Sequence, residues 1–256
     1  MNYRIPLFQR MEIETHGLCN RKCVWCIRNS TPDKEATASW FAKPTNQLPT
    51  ETIASVLDQA LSLGFRGEVC LQHYNEPLMD ERLPELAQMV KNRGFSKVFI
   101  GSNADFMTEE LSEKLDGVLD EIGFSLYYDG PRYEKRREWL FSLFKKTPIT
   151  VACAADDLTY PMLTHHNPYH DTIAIAKRFE NNPCRHPLKR MIVNHKGEML
   201  MCCDDLTGNF NLGSVHDNTL EELWYSDRHQ DLVLALLRPG GRKFPGNEHC
   251  LTCPRQ

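Results

Sequence analysis

The chain has 256 residues, 41% of them hydrophobic, which suffices for one large domain or a domain with a small appendage at roughly 150 residues per domain and excludes a disordered chain. Its 34 acidic and 30 basic residues leave a formal charge of -4, so no polybasic surface for nucleic acid or anionic lipid is implied. No apolar run approaches the ~18 residues of a membrane span, and Arg4, Arg10, Glu12 and Glu14 interrupt the start, which excludes a signal-peptide core and points to the cytoplasm.

From the N-terminus, Arg10 to Thr15 reads as a strand, and Glu51 to Leu63 as a helix with Ile53, Val56, Leu57, Ala60 and Leu61 on one face, stopped at Gly64. The alternation then repeats: strand Val69 to His73, helix Asp80 to Arg93, strand Lys97 to Gly101, helix Thr108 to Asp116, strand Ile122 to Tyr127, helix Pro131 to Lys145, strand Ile149 to Cys153. Such alternation predicts parallel βα units, compatible with an open sheet or with a partial barrel. Beyond residue 155 the pattern breaks. Pro161, Pro168 and Pro183 bracket a histidine-rich stretch, Arg190 to Asn194 and Glu198 to Met201 flank His195-Lys196-Gly197 as a hairpin, and Thr219 with Glu222 forms a capping box for a helix that can run to Leu237.

Ten cysteines are many for a reducing compartment, where clustered thiols serve metals or catalysis more often than disulfides. Cys19, Cys23 and Cys26 follow the first strand. Three thiolates from one loop can wrap a four-iron cubane and leave one iron open to a small molecule. Zinc normally takes four ligands in paired knuckles, for which only His16 is at hand. Cys184, Cys202, Cys250 and Cys253 form a second group, compatible with a closed four-iron cluster or a closed zinc site, and Cys203 competes with Cys202 for its position. Cys70 and Cys153 fall inside predicted strands and are expected to be buried.

The Cys19-x3-Cys23-x2-Cys26 loop and the string Glu14-Thr15-His16-Gly17-Leu18-Cys19-Asn20 resemble the radical S-adenosylmethionine (radical SAM) superfamily. The resemblance implies a partial (β/α)6 TIM-like barrel over residues 1–180, with SAM chelating the open iron and Trp25 against its adenine. Asn75-Glu76-Pro77 is similar to the motif that binds the SAM amino group, with Asn75 in place of glycine; Ser102-Asn103 and Ser125 are similar to the family's next two strand-end motifs. Read by themselves, Ser102, Asn103 and Ser125 are ordinary strand-end caps, and what gives them weight is their shared position on the face where parallel βα folds gather ligands.

In the second half, Cys184, then twelve residues to Gly197, four more and Cys202, followed by Leu212-Gly213-Ser214-Val215 and Leu223-Trp224, resembles the family's SPASM/Twitch extension. With only Cys250 and Cys253 after it, the short Twitch form with one auxiliary 4Fe-4S cluster is implied for residues 181–256. The implied chemistry is reductive cleavage of SAM to a 5'-deoxyadenosyl radical, hydrogen-atom abstraction, and oxidation of a small polyol or amino sugar with the auxiliary cluster as electron acceptor, fed by a flavodoxin or ferredoxin-type donor. His165 or His166 is the candidate base, since imidazole accepts a proton near neutrality; a solvated loop is the bland reading of the same residues. The basic run Lys135-Arg136-Arg137 reads as a solvated helix face or as a contact for an acidic electron donor. Alternatives are radical modification of a ribosomally made peptide, lowered by the 18 residues ahead of Cys19, and a non-catalytic zinc-binding interaction protein.

Overall fold

A computed structural model describes residues 4–23, 26, 28, 47–154, 172–205 and 208–253. Strands β1 (Arg10–Ile13), β2 (Glu68–Cys70), β3 (Lys97–Ser102), β4 (Glu121–Leu126) and β5 (Ile149–Cys153) pair side by side in chain order, all parallel. Helices α1 (Thr50–Ser62), α2 (Leu83–Asn92), α3 (Glu109–Leu115) and α4 (Gly130–Leu143) make the crossovers. The helical stripe of α1 is real: Ile53, Val56, Leu57 and Ala60 are buried, each large one contributing about 1.5–3 kcal/mol.

In β3 and β4 every second residue is buried, Val98 and Ile100 in one and Ile122, Phe124 and Leu126 in the other. Their alternates Phe99, Gly101, Gly123 and Ser125 line cavities instead, as the two-residue period of a strand requires. Strand β2 is shorter than expected because side chains take over its last hydrogen bonds: Gln72 Oε1 accepts the Gly101 N–H at 2.5 Å and Asn75 Oδ1 accepts that of His73 at 3.0 Å.

The other edge of β1 carries a second module. Helices α5 (Thr172–Phe179) and α6 (His186–Lys189) lead into β6 (Arg190–Val193), which pairs in parallel with β1, and β7 (Met199–Leu200) returns antiparallel to it. The sheet order is therefore β5-β4-β3-β2-β1-β6-β7, so the sixth parallel strand comes from the predicted hairpin and covers β1.

The last predicted helix is two, α7 (Leu220–Trp224) and α8 (Asp227–Leu236). Its capping box forms, with Thr219 accepting from Glu222 N–H and Glu222 from Thr219 N–H. The break follows from Ser226, which accepts the His229 N–H at 3.2 Å as a new N-cap, and from His229 Nδ1, 2.7 Å from the Trp224 carbonyl. Cys70 is buried as expected, whereas Cys153 is exposed, because β5 is an edge strand among the described residues. No helix among the described residues is long and apolar enough to cross a membrane.

Candidate active site

The strand ends and the loop after β1 enclose a cavity of about 400 Å³. Cys19, Cys23 and Cys26 line it together with Glu76, Ser102, Asn103 and Ser125, so the sequence-predicted residues from four successive strand ends converge. Trp25, His165 and His166 lie outside the described residues.

The cysteine loop is pinned by groups the spacing did not single out. Arg28 is buried and donates to the carbonyls of Gly17 at 3.0 Å and Tyr74 at 2.9 Å. The Glu76 N–H donates to the Leu18 carbonyl at 2.8 Å. Between the first two cysteines, Asn20 and Arg21 donate to the two carboxylate oxygens of Asp105 at 2.7 and 2.6 Å, and Asn20 accepts from Asn103 Nδ2 at 2.8 Å.

Glu76 is fixed from three sides. One oxygen accepts from Leu78 N–H at 3.1 Å and Ser102 Oγ at 2.7 Å, the other from Asn103 N–H at 2.9 Å. Burial nevertheless holds its carboxyl above the ordinary range, since these donors offset only part of the desolvation. The Glu76, Ser102 and Asn103 set is thus one hydrogen-bonded unit joining the ends of β2 and β3.

The donor set fits an electrophilic iron centre. Burial pushes the thiols of Cys19 and Cys23 up and that of Cys26 up to about 12, so a bound cation is what would make them thiolates. A polar cofactor fits as well: Asn75 Nδ2 is buried and has no hydrogen-bond partner among the described residues, while its Oδ1 is held by His73 N–H, which fixes the amide's orientation.

A second chamber of about 380 Å³ shares Gln72, His73, Tyr74, Gly101 and Gly123 with the first. Its polar lining includes Glu12, Glu121 and Arg190. Glu12 accepts from Arg190 at 2.9 Å and lies 3.2 Å from His73 Nδ1. Burial pushes the Glu12 carboxyl up, but His73 and the two arginines pull harder and leave it below the ordinary range. His73 Nε2 is buried without a hydrogen-bond partner among the described residues. Neither Glu12 nor His73 was a predicted site residue; Glu12, an acid in a strand otherwise buried, was the available signal.

Cys203 also lines this second chamber, and its carbonyl accepts the Tyr74 hydroxyl. Burial raises the thiol of the neighbouring Cys202 well above the ordinary value, with Cys203, Asp204 and Cys253 close enough to push it the same way. Burial and the nearby Cys184 push Cys250 up to about 12. Cys253 Sγ approaches Asp204 at 3.8 Å, and Asp204 N–H donates to Cys202 Sγ at 3.4 Å. Cys184, Cys202, Cys250 and Cys253 are thereby gathered in one module. Among the described residues no three His, Cys, Asp or Glu side chains converge on a single-ion position, which a cubane does not ask for, because each thiolate holds a different iron.

The radical SAM superfamily model matches residues 13–140, and that of an iron-sulfur cluster-binding domain, SPASM, matches residues 184–254. The chain is 23% identical over 227 residues to the S-adenosyl-L-methionine-dependent 2-deoxy-scyllo-inosamine dehydrogenase of Niallia circulans, a match spanning 87% of this chain and 84% of that one. It is 35% identical over 115 residues to the Fe-coproporphyrin III synthase of Methanosarcina barkeri, covering 44% of this chain and 25% of the relative. Among solved structures, BtrN in complex with AdoMet and 2-DOIA superposes with a TM-score of 0.75 at 20% identity, over 98% of this chain and 94% of the other. Native anSMEcpe with bound AdoMet gives 0.60 at 14% identity, over 90% and 84%. With half of the sequence matching the first model and the cysteine-rich stretch 184–254 the second, the chain belongs to the radical SAM superfamily and carries a SPASM domain, the pair of domains that works with SAM and two 4Fe-4S clusters.

Proposed function

We propose that the protein is a radical SAM dehydrogenase that oxidises a small polyol or amino sugar. The observation that carries this reading is the junction of two chambers, one lined by three cysteines and Glu76, the other by Glu12, His73, Glu121 and Arg190. A polar chamber with carboxylates, an imidazole and a guanidinium suits a hydroxylated, amine-bearing molecule. The 23% identity with a dehydrogenase acting on 2-deoxy-scyllo-inosamine supports the same class.

When bound, SAM and the two clusters supply the hydrogen-abstracting radical and an electron acceptor. Cys19, Cys23 and Cys26 would hold the first cluster, and Trp25, Glu76, Ser102, Asn103 and Ser125 would hold SAM beside it. Cys184, Cys202, Cys250 and Cys253 would hold the auxiliary cluster, in a unit from about residue 181 onward. The residues around the second chamber orient the substrate and exclude water. For the hydroxyl proton, His165 and His166 are the proposed acceptors from the sequence, and His73, with Nδ1 against Glu12, is the imidazole the described residues offer.

The test is anaerobic reconstitution followed by reaction with dithionite, SAM and 2-deoxy-scyllo-inosamine. About eight irons per chain and formation of 5'-deoxyadenosine with a ketone product are expected. Cys23→Ala should abolish 5'-deoxyadenosine, whereas Cys250→Ala should spare cleavage and stop net oxidation. Two zincs and no iron would end the enzyme reading; turnover of a peptide in place of aminocyclitols would replace the substrate class.

A further inference from the structure

Outside the two chambers, a third cavity of about 480 Å³ opens against α4, lined by Asp105, Tyr128, Arg132, Lys135, Arg136 and Trp139. Helix α4 differs from the other crossovers, for of its fourteen residues only Leu140 is buried, against four of ten in α2. Arg132, Lys135, Arg136 and Trp139 recur at helical spacing, so they share one face. The aromatic rings hold the guanidinium groups in place: Arg132 lies 4.2 Å over Tyr128 and Arg136 4.0 Å over Trp139. Arg136 also donates to the Ala104 carbonyl at 2.7 Å, which fastens the turn after β3 to this face. That turn presents Phe106, 43% exposed.

Arg132 and Lys135 form no ion pair among the described residues, although the chain as a whole is acidic. An uncompensated basic face edged by Tyr, Trp and Phe has the composition of a protein interface core, where aromatics and arginine concentrate. Its position selects the partner. Asp105, in the wall of this cavity, takes both of its side-chain hydrogen bonds from Asn20 and Arg21, which lie between Cys19 and Cys23. A protein seated here therefore sits one residue from the loop of the first cysteine cluster, while the far side of that loop faces the SAM chamber.

We propose that the α4 face docks an acidic one-electron donor protein of the flavodoxin class. Cleavage of SAM needs the first cluster reduced by one electron, which a fully reduced donor supplies while itself becoming the one-electron-oxidised form; the electron released in oxidising the substrate goes to the auxiliary cluster and leaves from there. The face offers that donor charge complementarity, aromatic anchors and, through Asp105, direct contact with the residues between Cys19 and Cys23. The inference rests on membership of the superfamily and not on the identity of the substrate.

A flavodoxin serves as the probe, with the holoenzyme and an Arg132→Glu/Lys135→Glu variant. Both side chains are exposed and pair with no carboxylate among the described residues, so the fold should tolerate the change. The parent is expected to bind oxidised flavodoxin with an affinity that falls steeply with salt, and the variant about tenfold more weakly or worse, with the salt dependence flattened. SAM cleavage driven by reduced flavodoxin should fall by the same factor, and dithionite-driven cleavage should be unchanged. Phe106→Ala should weaken binding while keeping the salt slope. No binding by the parent, equal binding by the variant, or an equal loss with both reductants would each overturn the docking site. Failure of dithionite-driven cleavage in the parent would instead strike the enzymatic reading, and the binding measurement decides the docking site independently of it.

Discussion

Arg28 lies two residues past the third cysteine, and its guanidinium closes the loop by donating to Gly17 and Tyr74 carbonyls from a buried position. Burial lowers its own pKa, yet an arginine stays charged, so it also supplies positive potential beside Cys19 and Cys26. Methionine at this position fills the volume but leaves two buried carbonyls unpaired, at about 1–3 kcal/mol each. Arg28→Met should purify with substoichiometric iron in the first cluster, measured as iron per chain and as lost 5'-deoxyadenosine, and a fully loaded, active variant would remove the pinning role. Arg28→Lys should rescue little, because a single ammonium cannot span both acceptors in the fixed fork of a guanidinium. The cysteines were legible because their spacing is chemistry in itself, and Glu76, Ser102, Asn103 and Ser125 because strand ends are countable. Arg28, Glu12 and His73 were not, since what marks them is a partner far off in the chain: Tyr74 for the first, Arg190 and each other for the other two.

Helices with a single apolar face declared themselves by period, as α1 and α2 show, and α7 by its capping box. Where α7 and α8 part, the deciding bonds are the Ser226 cap and the His229 ring on the Trp224 carbonyl, short-range features that an apolar period running through Leu223, Leu232, Val233 and Leu236 overrides by eye. The end of α8 carries a sharper test. Gly240 has a left-handed φ of 75° with open space around its Cβ position, whereas a Cβ on Gly241 would stand 1.8 Å from the Ala235 carbonyl oxygen. Gly240→Ala should therefore cost about 1 kcal/mol, the ordinary strain of that conformation. Gly241→Ala has to displace the helix end from the turn at Gly241–Lys243, which packs on the segment bearing Cys250 and Cys253, and should lower Tm far more and shed auxiliary-cluster iron. Equal shifts in Tm for the two variants would contradict this packing.

One continuous sheet joins the barrel to the cysteine-rich module, and its seam is a buried pair. His195 Nδ1 lies 2.5 Å from Glu14 Oε2, and the same carboxylate accepts from His195 N–H and Tyr74 N–H. The hairpin was readable from its alternation, but its pairing with β1 was not, because a strand's partner depends on which edge is left open once β2 to β5 have assembled. This seam makes the whole molecule acid-sensitive. Burial pushes Glu14 up, but the His195 hydrogen bond and charge pull it below its ordinary value, and Glu12 behaves likewise through His73. A carboxyl lowered in the folded state gives stability that is present above the unfolded value of 4.5 and lost as pH falls through the folded one. His229 adds a higher window, for burial depresses it from 6.5 to about 4, so between those values the unfolded chain binds a proton the folded one refuses. Stability falls there on acidification, by on the order of 3 kcal/mol in all at one proton's linkage. Glu76 and Asp205, raised by burial, work in the opposite sense, their share being lost as pH rises through the folded values. In calorimetry of the holoenzyme, Tm should drop between about pH 6.5 and about 4 and keep dropping below 4.5. His229→Gln, which can still donate to the Trp224 carbonyl but does not titrate, should flatten the upper part of that decline and leave the lower part intact. An undiminished decline across the upper window in the variant would place the acid sensitivity elsewhere.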